Sequence, residues 1–359
     1  MASSQSFADN LQLPDKILTN YTYLKLFDSG GSTCKTFLVQ DKKNKFFILK
    51  YSDWEGIGYN GTPWLEMQTQ RLIELKKIIS YPGNTWLPEV YDYRKIGNVF
   101  YVLLEYYENA ETLSDFYLFF DGDLVHSYLA DIDTILTFLS TYFYSRNLLE
   151  TPKDYVKKTH IERVENRLKL FMHEQTETYK RYVDRKHFSV GDFIEQDMAV
   201  FFRNLIEQEV IRINGKAYKN PLLILQSIER NKKLLDYLTP TFVPEFSHGD
   251  SLLRNYLKIS DGSIKMIDVR GKNLPHNTTS QICIPFELGK MFHSIEMDIV
   301  RSDNFSLRVE KNKKNISVEF TYHVKNKNIN DLLEVRKQMP NLFAQNKAFK
   351  IFLQKEPHW

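Results

Sequence analysis

The hydrophobic residues of the first hundred positions are largely grouped in short runs of the length and composition typical of β-strands. Runs rich in aromatic and β-branched residues cover residues 21–27, 35–40, 45–52, 89–96 and 98–107. Short polar segments separate these runs and have the composition of turns. The pattern therefore predicts an antiparallel sheet of five strands.

A helical pattern interrupts these strands at residues 62–80. The segment opens with Thr-Pro, a favourable helix start, and places Leu65, Leu72 and Leu75 at helical spacing. We therefore expect one amphipathic helix to pack against the sheet.

From about residue 110 the apolar residues take the spacing of helices. Helices are predicted over residues 122–147, 152–182, 190–209 and 221–238, and a last helix begins near residue 329. A strand-rich segment followed by a helix-rich segment is typical of the α+β fold class.

Three hairpins are predicted among these helices. Asn214-Gly215 has the residue pair of a type I′ turn, and two further hairpins cover residues 256–268 and 305–324. The changes of pattern place boundaries that divide the chain into four segments: an extension (residues 1–20), the sheet (21–108), the helical part (109–300), and a hairpin with a helix (301–359).

The charge balance argues against a dedicated nucleic-acid-binding protein. The 359 residues include 48 basic and 45 acidic side chains, interspersed along the chain, for a net charge of +3. The most basic stretch, residues 308–315, lies between two alternating apolar runs and is interpreted as a solvated hairpin tip.

The sequence also predicts a cytoplasmic protein without a membrane span. No cationic segment followed by an apolar core opens the chain, and no apolar run approaches the roughly 18 residues of a transmembrane helix. Two cysteines, Cys34 and Cys283, are too few for a disulfide framework and are interpreted as reduced structural thiols.

Three oxygen-bearing side chains lie in segments that otherwise have the pattern of buried strands and tight turns. Asp250 and Asn255 are separated by Ser-Leu-Leu-Arg, and Asp268 ends a predicted hairpin. Carboxylate and amide oxygens of this kind suit Mg²⁺, which keeps other positions for water and phosphate oxygens. The same residues could instead cap turns, so spacing alone leaves a metal site and a structural role open.

A turn containing Gly30, Gly31 and Ser32 joins the first two predicted strands. Glycines let backbone N–H groups approach a ligand closely, and turned amides of this kind form an anion-binding concavity. Gly-Gly also joins many hairpins that bind nothing. The turn alone is therefore weak support for a phosphate site.

Lys50 closes an apolar strand, where it is either a snorkelling edge residue or a charge held for a ligand. Two glutamates on the following helix, Glu66 and Glu74, are its candidate partners. Glu66 also has a purely structural explanation, because a carboxylate in the first turn is stabilised by the helix dipole.

The order of these features resembles the protein-kinase-like fold, and more narrowly the aminoglycoside phosphotransferase and choline kinase superfamily. Residues 248–255, HGDSLLRN, match the superfamily's catalytic-loop pattern HGDxxxxN. The turn IDVRG resembles its metal-binding turn, although Val269-Arg270 departs from the residues usual there. It is also similar to the IDxRG turn of kinase-like proteins of bacterial capsule and surface-polysaccharide loci. Residues 285–294 resemble the helix that follows, with Glu287 in place of the common aspartate.

This resemblance covers about residues 20–300 and implies two lobes. The N-lobe would be a small antiparallel sheet with one helix, and the C-lobe would be larger and mainly helical. Asp250 would be the base that accepts the proton of the acceptor hydroxyl, and Asn255 and Asp268 would hold Mg²⁺. Arg254 would face the transferred phosphoryl group or the backbone of its own loop.

The resemblance also implies an ATP site. Lys50 would neutralise the α- and β-phosphates, with its ammonium held by Glu66, and a hinge strand would hydrogen-bond the adenine. The residues implied in nucleotide binding are Gly30, Gly31, Ser32, Lys50, Glu66, Glu105, Tyr106 and Tyr107.

The implied function is phosphorylation of a hydroxyl of a small molecule. A sugar or sugar-like alcohol used in surface polysaccharide synthesis is favoured through the IDxRG similarity, and choline, ethanolamine or an aminoglycoside is the alternative acceptor. A protein kinase is disfavoured because HGD replaces HRD and no A-P-E segment follows Asp268. A catalytically silent kinase-like module that binds a partner protein stays open as a further alternative.

Overall fold

A computed structural model of the chain describes residues 20–27, 34–53, 61–166, 208–272, 282–312, 315–324 and 327–355. The strands in these ranges are Tyr21–Phe27 (β1), Lys35–Asp41 (β2), Phe46–Ser52 (β3), Val90–Ile96 (β4), Val99–Glu105 (β5), Glu111–Thr112 (β6), Leu148–Glu150 (β7), Val210–Ile213 (β8), Lys216–Lys219 (β9), Phe242–Pro244 (β10), Phe246–Ser247 (β11), Tyr256–Lys258 (β12), Ile264–Met266 (β13), Gly271–Lys272 (β14), Asp303–Asn312 (β15) and Asn315–Val324 (β16). The α-helices are Thr62–Ile78 (α1), Leu113–Leu118 (α2), Leu124–Leu139 (α3), Pro221–Arg230 (α4), Lys232–Leu238 (α5), Ile284–Ser302 (α6), Ile329–Gln345 (α7) and Lys347–Lys355 (α8).

Contacts between Cα atoms divide the chain into two compact units. Among the described residues, the first unit contains the chain up to Glu111 together with Asn255–Gly271. The second unit contains the chain from Thr112 to Arg254 and from Lys272 onward. The fold is thus a mixture of strands and helices, which confirms the α+β prediction, whereas the two-lobed kinase arrangement stays a prediction.

The first unit is built on a five-stranded antiparallel sheet with the strand order β1-β2-β3-β5-β4. Successive side chains of each strand point to opposite faces of the sheet, so each face has its own apolar layer. One layer consists of Phe37, Val39, Phe47, Leu49, Tyr51, Tyr101 and Leu103. The other layer contains Phe100 and Val102, on which Leu65 of α1 packs. The predicted sheet and its helix are confirmed. They could be predicted because the sequence patterns of both are local and strong.

A hairpin of β12 and β13 groups with this sheet. The strands pair antiparallel from Tyr256 opposite Met266 to Lys258 opposite Ile264. The Lys265 ammonium donates a hydrogen bond of 2.8 Å to the carbonyl of Thr85, which lies in the turn before β4. Such contacts explain why this hairpin belongs to the first unit rather than to the helical residues that precede it in sequence.

The second unit is mainly helical. The predicted helix over residues 122–147 is the α-helix α3 followed by a π-helical turn, Ser140–Tyr144. The predicted helix over residues 221–238 is divided into α4 and α5. The break falls at Asn231, whose side-chain oxygen accepts a hydrogen bond of 3.1 Å from the Leu234 N–H and thereby starts a new helix.

Two other helix predictions are only partly covered by the structure. Within residues 152–182, the described part contains a π-helical turn, Lys157–Ile161, and helical residues to 166. Residues 167–207, which include nearly all of the predicted helix 190–209, lie outside the described residues. The predicted last helix begins at Ile329, and a second helix, α8, follows it.

Four strands of the second unit form a sheet with the order β15-β16-β8-β9. Asn214 and Gly215 have φ values of +49° and +76°, so both adopt the positive φ that a type I′ turn requires. The long hairpin is also confirmed, with Asp303 opposite Val324 and Asn312 opposite Asn315. The parallel pairing of β16 with β8 was not predicted, because it joins segments about a hundred residues apart.

None of the helices in the described part of the chain combines the length and the apolar character needed to cross a bilayer. Cys34 and Cys283 both carry a thiol rather than a disulfide. Burial raises the pKa of the Cys283 thiol above its ordinary value, so the group is protonated at neutral pH.

A partly buried imidazole in the second unit, that of His160, leads us to expect a pH-dependent stability. The ring of His160 stacks on Phe286, with 5.5 Å between ring centroids, and meets the edge of Tyr155 at 5.6 Å. Burial, assisted by the positive charge of Arg163, lowers the pKa of His160 from 6.5 to about 4. The unfolded chain therefore binds a proton between these two pH values that the folded chain does not.

We predict that the free energy of unfolding falls by up to about 3 kcal/mol between pH 6.5 and 4 through this group. The contribution is fully present above pH 6.5 and is lost as the pH falls towards 4. His160→Phe keeps a ring and removes the titration, so urea unfolding at a series of pH values should show a smaller loss than in the wild type. His126→Gln, at an exposed position of α3, is the control. Equal pH dependence of His160→Phe and wild type would contradict the assignment.

Candidate active site

The loop that contains the HGD motif belongs to the second unit and follows strand β11. Gly249 has a φ of +80°, a conformation that glycine adopts without steric cost. The side chains of His248 and Ser251, which flank Gly249 and Asp250, are buried. Asp250 lies between them, and its backbone N–H donates a hydrogen bond of 3.3 Å to Nδ1 of His248. The sequence thus folds into a tight turn that fixes the aspartate.

Glu287 of helix α6 anchors this loop. Its Oε1 accepts hydrogen bonds from the Gly249 N–H at 2.5 Å and from the Ser251 hydroxyl at 2.9 Å. Its Oε2 accepts a hydrogen bond of 2.6 Å from the Tyr144 hydroxyl. The carboxyl group is fully buried, and this burial raises its pKa above the ordinary value despite the hydrogen bonds that the carboxylate accepts. The resemblance described above puts Glu287 where the kinase superfamily commonly has an aspartate. It did not predict that Glu287 anchors the HGD loop.

We predict that Glu287→Ala lowers the free energy of unfolding by at least about 3 kcal/mol, because three buried donors lose their acceptor at about 1–3 kcal/mol each. Glu287→Gln should cost only about 1 kcal/mol, since its oxygen can accept from Gly249 and Ser251 while its amide faces Tyr144. Urea unfolding of both variants measures the difference.

The pH dependence gives a second check on Glu287. Because its pKa is raised on folding, the wild type should lose stability as the pH rises above the ordinary value of 4.5, and Glu287→Gln should lack this slope. Equal stability of the Ala and Gln variants would show that the three hydrogen bonds do not hold the loop.

Asp250 forms an ion pair in the same unit. Its Oδ1 lies 3.0 Å from Nζ of Lys290, and about a quarter of each side chain is exposed, 24% and 27% respectively. Sequence reasoning missed Lys290. The sequence signal that could have indicated Lys290 is its position three residues after Glu287, because this spacing places both side chains on one face of α6.

Lys50 and Asp268 meet in the first unit. Lys50 lies on β3, and its ammonium contacts Oδ1 of Asp268. The ammonium is mostly buried, with 15% of the side chain exposed, whereas 37% of the Asp268 side chain is exposed. This contact brings together two of the residues singled out from the sequence, which lie 218 positions apart.

The backbone around Asp268 is held in an uncommon conformation. Asp268 has a φ of +57°, which few residues other than glycine, asparagine and aspartate adopt. Gln68 of α1 donates a hydrogen bond of 3.1 Å to the Asp268 carbonyl, and Arg71 donates one of 3.2 Å to the Arg270 carbonyl. Uncommon backbone conformations that the surroundings fix in this way occur frequently at functional sites.

Asn255 lies at the same open end of this hairpin as Asp268. Its carbonyl accepts a hydrogen bond of 2.9 Å from the Ile267 N–H, which ties it to the residue before Asp268. The Asn255 side chain is nearly buried, with 9% of the residue exposed. The structure therefore holds Asn255 and Asp268 on adjoining strand ends of one unit.

The oxygen donors of these two residues fit Mg²⁺ better than a metal that needs a complete protein cage. Among the described residues, no three His, Cys, Asp or Glu side chains converge in a metal-binding arrangement. Mg²⁺ is usually held by one or two carboxylates together with substrate phosphates and water. The amide of Asn255 and the carboxylate of Asp268 are consistent with this donor set. In this structure the cation beside the Asp268 carboxylate is Lys50.

Glu66 does not contact Lys50 in this structure. Its carboxylate accepts a hydrogen bond of 2.7 Å from Lys95 of β4, while the Lys50 ammonium contacts Asp268. The implied pairing of Lys50 with Glu66 is thus replaced by two other pairs, because β4 brings Lys95 to the exposed side of α1. The pairing would need a different conformation of Lys50.

The predicted hinge, Glu105 to Tyr107, ends strand β5. The Glu105 N–H donates a hydrogen bond of 2.9 Å to the Glu89 carbonyl. The Glu105 carboxylate accepts hydrogen bonds from the Glu89 N–H at 3.1 Å and from the Tyr107 hydroxyl at 3.0 Å. The Tyr106 ring packs near Phe46, with 5.9 Å between centroids. These contacts fix the segment, and its role in adenine binding stays a prediction.

Other predicted site residues are placed less fully. Arg254 lies in a 3₁₀ turn, Leu253–Asn255, and is partly buried. Gly30, Gly31 and Ser32 lie outside the described residues. Cys34, just after that turn, is near Lys50 and Asp268, and burial raises the pKa of its thiol to about 11, so it adds no charge to the pair at neutral pH.

Comparisons with known proteins add little to these observations. No protein-family model matches the sequence, and no curated protein matches it significantly. One similar solved structure is the crystal structure of Rad53 1-466 in complex with AMP-PNP, with 16% sequence identity and a TM-score of 0.25. The similarity covers 37% of this chain and 34% of the Rad53 chain, about a third of each. A TM-score of this size establishes neither fold nor function.

Proposed function

We propose that the chain is an ATP- and Mg²⁺-dependent phosphotransferase that phosphorylates a hydroxyl group of a small molecule. The observation that carries the proposal is the contact between Lys50 and Asp268, at the end of the hairpin that begins with Asn255. This contact joins a cation and a carboxylate from distant parts of the sequence, and in the proposal these two groups and the amide of Asn255 each have a role in phosphoryl transfer. The anchored HGD loop supplies the remaining group, Asp250.

Each residue has a stated task in this proposal. Asp250 accepts a hydrogen bond from the acceptor hydroxyl, orients its oxygen towards the γ-phosphate and takes its proton. Lys50 moves from Asp268 to the α- and β-phosphates when the nucleotide enters. Asn255 and Asp268 would hold Mg²⁺, which when bound supplies positive charge to the β- and γ-phosphate oxygens.

The rigidity of the loop supports the role of Asp250. Glu287 fixes the residues on both sides of Asp250, and Ser294 accepts a hydrogen bond of 3.0 Å from the Leu253 N–H. A base must be held within hydrogen-bonding reach of the reacting hydroxyl, and preorganisation of this kind supplies much of the rate enhancement in phosphoryl transfer.

For the acceptor, we propose a sugar or sugar-like alcohol used in surface polysaccharide synthesis. The support is the IDxRG turn, here Ile267 to Gly271. Choline, ethanolamine and aminoglycosides are the alternative acceptors, and they define the panel that the experiment must contain.

The proposal is tested by Mg²⁺-dependent ATP consumption with purified protein and a panel of hexoses, polyols, choline, ethanolamine and aminoglycosides. We expect one class of acceptor to stimulate turnover, and Asp250→Asn to lose that stimulation. ATP binding without turnover on any acceptor would contradict a small-molecule kinase and favour a protein substrate or a partner-binding module. Absence of both ATP binding and turnover would overturn the proposal.

A further inference from the structure

Helix α6 holds the HGD loop through a stripe of three side chains. Glu287, Lys290 and Ser294 follow one another at spacings of three and four residues, so they lie on one face of the helix. Glu287 binds the Gly249 N–H and the Ser251 hydroxyl, Lys290 meets Asp250, and Ser294 accepts from the Leu253 N–H. The loop is thus held at nearly every residue from 249 to 253.

Lys290 differs from the other two members of this stripe. Glu287 and Ser294 satisfy backbone or hydroxyl groups and are buried, at 0% and 2% exposure. The Lys290 side chain is 27% exposed and brings a full positive charge to 3.0 Å from the carboxylate of Asp250. A cation is not needed to hold this loop, because Glu287 and Ser294 already anchor it on both sides of the aspartate.

Charge at this position matters for the proposed reaction. The transferring phosphoryl group carries negative charge on its oxygens and must approach the acceptor oxygen that Asp250 binds. A carboxylate without a nearby cation would repel that group, whereas a fixed ammonium group offsets the repulsion and stabilises charge on the phosphoryl oxygens. The described residues of the loop offer Arg254 as a further cation, and Lys290 of α6 forms an ion pair with Asp250.

We propose that Lys290 is a phosphoryl-binding and positioning residue of this site, an inference that rests on the proposed function. It orients Asp250 in the resting protein and binds an oxygen of the transferring phosphoryl group. In the reaction, the acceptor oxygen forms a bond to the γ-phosphorus, and the bond from the γ-phosphorus to the β–γ bridging oxygen breaks. ADP leaves with the bonding electron pair, and the acceptor proton goes to Asp250.

The test compares Lys290→Met, which keeps the length of the side chain and removes its charge, with Lys290→Arg, which keeps the charge. The acceptor is the one that stimulates turnover in the panel above. We expect Lys290→Met to lower kcat about 100-fold, as loss of one charge-stabilising donor does, with less than about a threefold change in KM for ATP. Lys290→Arg should recover most of kcat. Lys337→Met, which removes a lysine paired with Glu334 at 3.3 Å on the exposed side of α7, is the control and should match the wild type.

The outcomes separate this inference from the proposed function. An active wild type with an equally active Lys290→Met variant would overturn the inference alone. A loss of kcat that is the same in the Met and Arg variants and accompanies a lower melting temperature would show a purely structural role and would also overturn it. A wild type that consumes no ATP with any acceptor would overturn the proposed function, and this inference with it.

Discussion

Replacing Asp250 with asparagine should lower kcat for the stimulating acceptor by about 10²–10⁴-fold, the usual contribution of a general base. The amide keeps the size of the carboxylate but cannot take the acceptor proton. Since Asp250 belongs to the loop rather than to the Lys50 and Asp268 pair, the dissociation constant for Mg²⁺–ATP should change by less than about threefold. Single-turnover kinetics and equilibrium nucleotide binding measure the two quantities separately.

Asp121→Asn is a suitable control for this experiment. Asp121 belongs to the same unit and also pairs with a lysine, Lys327 at 2.9 Å, but its side chain is 92% exposed. Exposed ion pairs contribute little to stability, so this variant should be as active as the wild type. Unchanged kcat in Asp250→Asn would show that the base lies elsewhere.

Replacing Asp268 should abolish Mg²⁺-dependent nucleotide binding. We expect Asp268→Ala to raise the dissociation constant for Mg²⁺–ATP by at least about 100-fold, because the only carboxylate proposed for the metal is lost. Alanine is also unfavourable at a φ of +57°, so Asp268→Asn is a necessary companion variant. Asparagine tolerates this conformation and keeps one oxygen beside Lys50, yet its weaker metal binding should still lower the affinity strongly.

The control for Asp268 lies in the same hairpin. Asp261 accepts a hydrogen bond of 2.8 Å from the Ser263 N–H at the turn, and asparagine can accept the same bond. Asp261→Asn should therefore bind Mg²⁺–ATP as the wild type does in isothermal titration calorimetry. Wild-type affinity in both Asp268 variants would remove the metal assignment, provided that their melting temperatures remain close to that of the wild type.

The strands of the first unit were predicted almost residue by residue because their signal is local. β1 covers Tyr21–Phe27, as the run of β-forming residues predicts, and α1 begins at Thr62, where Thr-Pro marks a helix start. The division between α4 and α5 was missed. The apolar spacing around Asn231 is compatible with one continuous helix. That Asn231 instead caps a new helix depends on packing and not on the pattern of apolar residues.

The sequence by itself determined the five strands and the helix of the first unit's sheet, the predicted hairpins, and which residue types are candidates for chemistry. These properties depend on spacing within about ten residues, so they can be read along the chain. Only the tertiary structure decided the partners. Lys50 contacts Asp268 while Glu66 contacts Lys95, and Asp250 is joined by Lys290. Contacts between side chains far apart in sequence depend on how the elements pack, and many alternative partners of equal chemistry exist along the chain. Packing selects among them because the backbone brings only a few charged groups within reach of one another.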